Sequence, residues 1–227
     1  MRILLVLGIV LPSLALAEKT GERLNSAATV LSEIMSAPDQ GIPMNLLAHA
    51  ECIVAIPGVK EGAFGFGAKY GKGFFSCRKG TDWSAPASVR LEGGTVGFQI
   101  GGIESDVVML IMNRKGADRL MSTRFTIGGQ GEAAIGPLGR SSAAEADISL
   151  RAEILSWSRS RGAFAGISLQ GATLRQDFRD NLDLYGSPLN NKQIVYGAVA
   201  WPKSASELHS ILNRFAVRAQ KRLRPKG

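Results

Sequence analysis

Apolar residues recur every three or four positions between residues 20 and 36, with Glu22 and Glu33 on the opposite side. This spacing puts one apolar stripe along a helix and therefore predicts an amphipathic helix over these residues. Pro38 and the turn residues after it end the pattern. The stripe consists of Leu24, Ala27, Ala28, Leu31, Ile34 and Met35.

A second amphipathic helix is predicted over residues 204–224, near the C-terminus. Ser204 and Glu207 have the spacing of a capping box, which satisfies backbone donors at the start of a helix. Cations gather toward its end, where they favour the helix dipole. For both helices we expect the apolar stripe to pack on a sheet; the alternative is that one of them, more readily the C-terminal helix, lies on a membrane.

In the middle of the chain the pattern changes to short apolar or alternating runs between glycines and prolines, which is typical of strands. Residues 52–56 predict a strand that Pro57-Gly58 stops. Residues 63–77 predict two glycine-rich strands that turn around residues 69–73. Gly93-Gly94 predicts a two-residue hairpin between the next strands.

The continuous apolar run at residues 106–112 predicts a strand buried on both faces, and shorter helices are expected at 113–122 and 176–184. Strands in close succession with turns between them favour a curved antiparallel sheet. We therefore predict an α+β fold, in which a curved or barrel-like antiparallel β-sheet is flanked by N- and C-terminal helices. Residues 18–227 are expected to form a single domain.

The first residues predict a signal peptide rather than part of the fold. Arg2 supplies the positive start, residues 3–11 the apolar core, and Ala15-Leu16-Ala17 a cleavage site. The apolar run is too short to span a bilayer. We expect residues 1–17 to be removed after Ala17 and the protein to be exported, to the periplasm or beyond.

Charge narrows the class of partner. The chain has 27 basic and 19 acidic residues, a net charge of +8, which falls to +7 when Arg2 leaves with the signal peptide. A basic surface favours anionic partners such as phospholipid headgroups, nucleic acid or acidic glycans. Because the chain is expected to be exported, we expect no nucleic-acid partner.

The two cysteines are Cys52 and Cys77. In an oxidising compartment an even pair favours a disulfide, and closing this loop would stabilise the fold by about 3 kcal/mol. Two free thiols are the first alternative. A metal site that adds His49 is the weaker one, because a structural zinc site uses four ligands.

No pattern of residues predicts catalysis or a cofactor. The histidines are His49 and His209, and no nucleophile motif accompanies either. The glycine-rich run at residues 65–73 departs from both phosphate-loop and dinucleotide-binding patterns. Asp177, Asp180 and Asp183 have helical spacing, unlike a calcium loop, and predict a solvated helix face. We expect no enzymatic activity, no cofactor and no metal.

Several ordered motifs carry a family resemblance. The chain resembles the SYLF lipid-binding domain family, the domain also present in the yeast actin-patch proteins, from about Leu24 to Gly186. Its markers are residues 52–57 (CIVAIP), 83–86 (WSAP), 93–101 (GGTVGFQIG), 136–140 (GPLGR), 158–169 (SRSRGAFAGISL) and Tyr185-Gly186.

The resemblance implies a non-enzymatic domain that binds phospholipids, with membrane contact through the N-terminal helix at residues 20–36. Some eukaryotic members also bind phosphoinositides and bundle actin. Because the present chain begins with a secretory signal of bacterial type, we do not expect actin as its partner.

We therefore predict binding of anionic phospholipid at a bacterial envelope membrane, without catalysis. An envelope protein–protein interaction module is the first alternative, and a hydrolase with a non-standard site is the second. The candidate lipid contacts are basic residues at the glycine-rich hairpin, at the entry to a late strand, and on the C-terminal helix. They are Lys69 and Lys72, then Arg159 and Arg161, then Arg214, Arg218, Lys221 and Arg222.

Overall fold

A computed structural model describes residues 19–37, 41–64, 66–96, 101–129, 133–137, 152–160 and 162–223. Within this part of the chain, helices stand mainly at the two ends of the sequence. They are α1 (Thr20–Ser36), α2 (Met44–His49), α3 (Arg114–Leu120), α4 (Phe178–Tyr185), α5 (Asn191–Tyr196) and α6 (Ser206–Leu223), with a 3₁₀ turn at Lys203–Ala205 before α6.

The strands form one curled sheet. They are β1 (Cys52–Phe64), β2 (Phe66–Lys79), β3 (Asp82–Trp83), β4 (Ala87–Val96), β5 (Gly101–Ile111), β6 (Arg124–Thr126), β7 (Ala133–Ile135), β8 (Ile154–Ser160), β9 (Ala163–Gly166) and β10 (Thr173–Gln176). Their order is β6-β10-β4-β2-β1-β5-β8-β7, with β3 beside β2 and β9 beside β8. Among the described strands β6 and β7 do not pair with each other, so the sheet is an open half-barrel.

This architecture confirms the predicted α+β fold with a curled sheet between terminal helices. The sheet is antiparallel except for β7 and β8, which are parallel. Strand alternation explains why both faces are buried: Ile53 and Ala55 of β1 face the terminal helices, whereas Val54 and Ile56 face the opposite core. The buried strand expected at 106–112 and the helix expected at 113–122 are present as β5 and α3.

Both terminal helices pack their apolar stripes into the domain, as predicted. In α1, Leu24, Ala27, Ala28 and Ile34 are fully buried. In α6, Leu208, Ile211, Leu212 and Phe215 are buried against α1, α2 and the sheet. The apolar side of α6 is therefore occupied by protein contacts in this conformation.

Pro57-Gly58 does not stop β1, contrary to the prediction. The strand continues to Phe64, and its register shifts between Ala55 and Lys60 against β2 and between Ile56 and Val59 against β5, which marks a bulge. The bulge accommodates Pro57, which cannot donate to the sheet. Gly58 adopts a positive φ of 59°, and its N–H donates to Asp106 Oδ1 at 2.9 Å.

The turn expected around residues 69–73 is also wrong, because β2 runs through them without interruption. The glycines there allow close approach rather than a turn. A Cβ on Gly71 would lie 2.7 Å from Val59 Cγ2, and one on Gly73 would overlap the backbone of Ala55. Gly93-Gly94 likewise lies inside β4, opposite Ala68 and Lys69, rather than at a hairpin.

Cys52 and Cys77 occupy paired positions of β1 and β2 and form a disulfide in this structure. Residues 1–17, which carry the predicted signal peptide, lie outside the described residues. Across the described residues, no helix has the length and apolar content needed to cross a membrane.

Candidate functional site: two basic clefts

A cleft of about 970 Å³ lies between α1 and the outer halves of β1, β2 and β5. We call it the α1 cleft. It begins where the apolar packing beneath α1 ends and charged residues replace it along the same sheet face. Its charged lining residues are Arg23, Lys60, Lys72, Glu104, Asp106 and Arg159.

Strand register explains why these charges converge. Lys60 of β1 stands opposite Tyr70 of β2 and Glu104 of β5. Asp106 of β5 stands opposite Arg159 of β8. Because directly paired residues share a sheet face, these pairs form charged rows across neighbouring strands. The rows continue the face that carries buried apolar residues nearer the disulfide.

Lys72 joins a buried ion network that ties three elements together. Its Nζ lies 2.8 Å from Asp177 Oδ2 and 2.9 Å from Asp180 Oδ1. Asp180 also pairs with Arg23 of α1. The network therefore connects β2, the start of α4 and α1. Arg90 of β4 lies at its margin, with Nε 3.7 Å from Asp177 Oδ2 and without a hydrogen bond between them.

The predicted solvated face on α4 is therefore wrong for two of its three carboxylates. Asp177 and Asp180 are each only 5% exposed, whereas Asp183 faces solvent. Asp177 caps α4, since its side chain accepts from the N–H of Asp180. Helical spacing alone did not reveal that two basic side chains from distant segments would lie against this face.

The network stabilises the charged forms of both the Asp177 carboxylate and the Lys72 ammonium. Burial opposes ionisation of Asp177, but hydrogen bonds from Lys72 and from the backbone of Asp180 outweigh it, so the pKa of Asp177 is lowered. Burial also opposes the charge on Lys72, yet the bonds to Asp177 and Asp180 raise its pKa. At neutral pH the pair is therefore an ion pair, not a neutral one.

Arg159 is also bound to carboxylates. Its Nη2 lies 2.6 Å from Asp106 Oδ2, and its guanidinium also pairs with Glu33 near the end of α1. Together with the pair between Arg23 and Asp180, this contact holds α1 on the sheet near both of its ends.

Of the remaining candidate contacts, the structure describes Lys69 and Arg214, which lie on different elements. Lys69 pairs with Glu61 at 2.6 Å on the sheet face opposite Lys72. Arg214 is exposed on α6, and its Nη2 lies 3.4 Å from Ser32 Oγ of α1. Arg161 lies outside the described residues. The side chains of Arg218, Lys221 and Arg222 are also outside them, although the backbone of all three belongs to α6.

Lys60, which the sequence did not single out, is the exception within the α1 cleft. It is exposed, and in the described part of the chain it forms no ion pair. Tyr70 beside it is 44% exposed, and Ile103 on the other face of the neighbouring strands is 43% exposed. A cation near exposed aromatic and aliphatic side chains therefore marks the outer end of β1, β2 and β5.

A second cleft, of about 860 Å³, lies where α3 meets the edge strand β6. We call it the β6 cleft. Its charged lining residues are Lys115, Arg119, Arg124 and Asp118. The sequence prediction missed this cleft. Three of its cations lie within the ten residues 115–124, at a predicted helix and the strand that follows it, and this clustering was a usable signal.

The histidines do not build a catalytic or metal site in the described structure. His49 Nδ1 lies 2.7 Å from Asn45 O, and His209 Nε2 lies 2.9 Å from Asp82 Oδ1 while its ring stacks on Trp201. Among the described residues no three metal-binding side chains cluster, and no hydroxyl or thiol is hydrogen-bonded to a histidine. The site geometry suits electrostatic binding.

Comparison with known proteins places the chain in a family. A profile described as Ysc84, "Las17-binding protein actin regulator", matches residues 92–215. The chain belongs to the Ysc84 family. This confirms the SYLF resemblance seen in the sequence motifs. The matched segment contains the described residues of the β6 cleft. It also contains Arg159 of the α1 cleft and two carboxylates of the ion network, Asp177 and Asp180.

Curated relatives extend the match toward the N-terminus. SH3 domain-containing YSC84-like protein 1 of Xenopus laevis is 34% identical over 200 residues, 83% of this chain and 58% of the frog protein. The human protein of the same name is 30% identical over 203 residues, 88% of this chain and 58% of its own length. Protein YSC84 of Saccharomyces cerevisiae is 34% identical over 179 residues, 77% of this chain and 38% of the yeast protein.

The chain thus spans less than two thirds of the length of these relatives. Their names mention an SH3 domain and YSC84, and they name no enzymatic activity.

Proposed function

We propose that this Ysc84-family chain binds anionic phospholipid at a bacterial envelope membrane, without catalysis, after export and cleavage following Ala17. The observation that carries the proposal is the outer end of the α1 cleft, where exposed Lys60 lies beside exposed Tyr70. The membership of the family, whose SYLF domain is associated with lipid binding, supports it.

Lys60 suits a headgroup because it forms no ion pair in the described part of the chain, even though Glu104 stands opposite it on β5. A lysine ammonium is a compact point charge that pairs with phosphate oxygens without a fixed geometry. Near an anionic membrane each such cation contributes about 1 kcal/mol, so Lys60 acts with the general basic surplus of the protein and not alone.

Tyr70 supplies the apolar part of this contact, and Ile103, on the other sheet face, adds an exposed apolar side chain at the same strand ends. Tyrosine is enriched at membrane interfaces because its ring is apolar and its hydroxyl remains in contact with water. Both side chains are exposed at the outer ends of long strands, so they can meet a surface without unfolding of the domain. Cations near an interface then contact the headgroups.

The paired cations have a different role in this proposal. Arg23, Lys72 and Arg159 hold α1 and α4 in place and so shape the cleft. Their carboxylate partners already occupy the positions that a phosphate would take. Charge at these three residues is therefore structural, and headgroup affinity comes from cations that remain available.

Co-sedimentation of residues 18–227 with vesicles tests the proposal. We expect binding to vesicles that contain phosphatidylglycerol, none to pure phosphatidylcholine, and weaker binding at high salt, because salt screens exposed charges. Lys60→Glu should weaken binding several-fold. Lys192→Glu is the matched control, since Lys192 is exposed on α5, outside both clefts, and loses the same charge.

Equal loss in both variants would show that only the net charge matters. Absence of binding to either vesicle would overturn the proposal and favour a protein partner in the envelope.

A further inference from the structure

We infer that the β6 cleft is a binding site for a phosphate-class anion, distinct from the membrane contact proposed at the α1 cleft. The inference does not rest on lipid binding. It rests on two features that meet in this cleft among the described residues: backbone donors on the unpaired edge of β6, and two cations, Lys115 and Arg124, without a carboxylate partner.

The backbone donors follow from the pairing of β6. Thr123 O accepts from Gln176 N at 3.3 Å, and Ile127 N donates to Ala172 O at 2.8 Å, so residues 123 and 127 point their polar groups toward β10. In an antiparallel strand these groups alternate between the two sides. The N–H and C=O groups of Arg124 and Thr126 therefore point outward, to the open edge.

Local bonds occupy the outward carbonyls but not the outward N–H groups. Ser122 Oγ donates to Arg124 O at 2.9 Å, and Gly129 N donates to Thr126 O at 3.3 Å. Among the described residues, the N–H groups of Arg124 and Thr126 have no acceptor. The edge thus offers donors without free acceptors. It cannot template a further strand, which needs both, and it favours an anion.

The side chains around this edge add positive charge. Lys115 and Arg124 are exposed, and within the described structure neither forms an ion pair. Arg119 lies between helix and edge and is bonded to Glu153 at 2.9 Å. The carboxylate in the cleft, Asp118, is engaged elsewhere, because it accepts from Tyr196 Oη at 2.8 Å.

Asp118 also lies 3.6 Å from Arg114 Nε, on the same turn of α3. Its charge is thus balanced outside the group formed by Lys115, Arg124 and the two N–H donors. A phosphate, phosphomonoester or phosphodiester group has several acceptor oxygens, which match these converging donors. Lys and Arg bonds to phosphate are charge-assisted and stronger than bonds between neutral groups.

Amide NMR spectra of residues 18–227, with inorganic phosphate replacing chloride at constant ionic strength, test the inference. We expect a saturable downfield shift of the Arg124 and Thr126 amides, because both would donate to the anion. The double variant Lys115→Gln, Arg124→Gln should weaken the apparent affinity at least about tenfold. Absence of a saturable shift in the wild-type protein would overturn the inference.

The matched control is the double variant Lys192→Gln, Lys203→Gln, which removes two exposed cations from other surfaces. It should bind phosphate like the wild type; equal weakening in the control would overturn the inference. Thr126→Pro offers a second test, because it removes one outward N–H without changing charge, and an edge position tolerates proline. A loss of phosphate affinity in Thr126→Pro is interpreted only if circular dichroism shows that this variant keeps the native secondary structure. If it does not, the double glutamine variants decide.

Two further titrations identify the source of the phosphate group. A response of the same amides to phosphatidylglycerol vesicles, lost in the double glutamine variant, supports a lipid headgroup. A response to inorganic phosphate but not to vesicles supports a soluble ligand. The Lys60→Glu variant separates the two clefts. If it loses vesicle binding but keeps the phosphate-induced shifts of the Arg124 and Thr126 amides, the α1 cleft and the β6 cleft bind independently.

Discussion

The α1 cleft and the β6 cleft contain similar numbers of cations but use them differently. In the α1 cleft, Arg23, Lys72 and Arg159 each contact at least one carboxylate, and Lys60 alone among its lining cations is unpaired in the described structure. In the β6 cleft, unpaired cations outnumber paired ones within the described structure. Arg119 has Glu153 as its partner, whereas Lys115 and Arg124 have none among the residues that the structure describes.

The number of basic residues in a cleft therefore does not measure its affinity for anions. A cation that is bonded to a carboxylate must exchange that partner before it can bind a phosphate, so its net attraction is small. Buried ion pairs also require both members, because removal of one leaves an uncompensated charge. Paired cations therefore stabilise the fold, while unpaired ones remain available for ligands.

The largest expected effect is on stability, through the buried network of the α1 cleft. Asp180→Asn leaves Arg23 and Lys72 with less negative charge and should lower the free energy of unfolding by about 3 kcal/mol. Asp183→Asn, on the exposed side of the same helix, should change it by less than about 0.5 kcal/mol. Urea unfolding measures both, and equal losses would contradict the structural role of the network.

A direct contrast between the two clefts comes from one arginine in each. Arg159→Gln loses the bonds to Asp106 and Glu33 and should cost about 2 kcal/mol of unfolding free energy. Arg124→Gln should leave stability within about 0.5 kcal/mol while it weakens phosphate binding. If Arg124→Gln destabilises as much as Arg159→Gln, the distinction between paired and unpaired cations fails.

The smallest expected effect is the pH dependence of stability that comes from the buried ion network of Lys72, Asp177 and Asp180. The pKa of Asp177 is lowered from its ordinary 3.8 in the folded protein, so its contribution is fully present above that value and is lost as pH falls further. The pKa of Lys72 is raised from 10.5, so its contribution is present below that value and is lost as pH rises past it.

Unfolding free energies measured from neutral pH down to about pH 2.5 should therefore fall less steeply in Asp177→Asn than in the wild type. The reference is Asp183→Asn, which removes an exposed carboxylate from the same helix. If the unfolding free energy of Asp177→Asn falls with pH as steeply as that of the wild type, the Asp177 carboxylate is not stabilised as described.

The sequence predicted the large features of the fold because periodicity reports burial. Apolar spacing located α1 and α6, and the run at 106–112 located the core of β5. The strand boundaries were predicted wrongly where glycines occur. The glycines of β2 and β4 were interpreted as turn residues, whereas those at positions 71 and 73 admit close neighbours from β1. Which role a glycine has depends on the packing of distant segments.

The candidate site was harder to predict, for a related reason. Sequence identifies a basic residue but not its partner. Lys72 was predicted as a lipid contact and lines the α1 cleft, yet its neighbours Asp177 and Asp180 lie more than one hundred residues away along the chain. Lys60 and Arg124 were missed because their significance lies in the absence of a described carboxylate partner, which only the folded arrangement reveals.

A single NMR titration tests the central claim that available cations, not paired ones, bind the anionic lipid. Residues 18–227 would be titrated with short-chain phosphatidylglycerol below its micelle concentration. We expect saturable shifts at Lys60 and Tyr70, with the amides of Asp177 and Asp180 unchanged. Shifts centred on Asp177 and Asp180, with Lys60 unaffected, would contradict it.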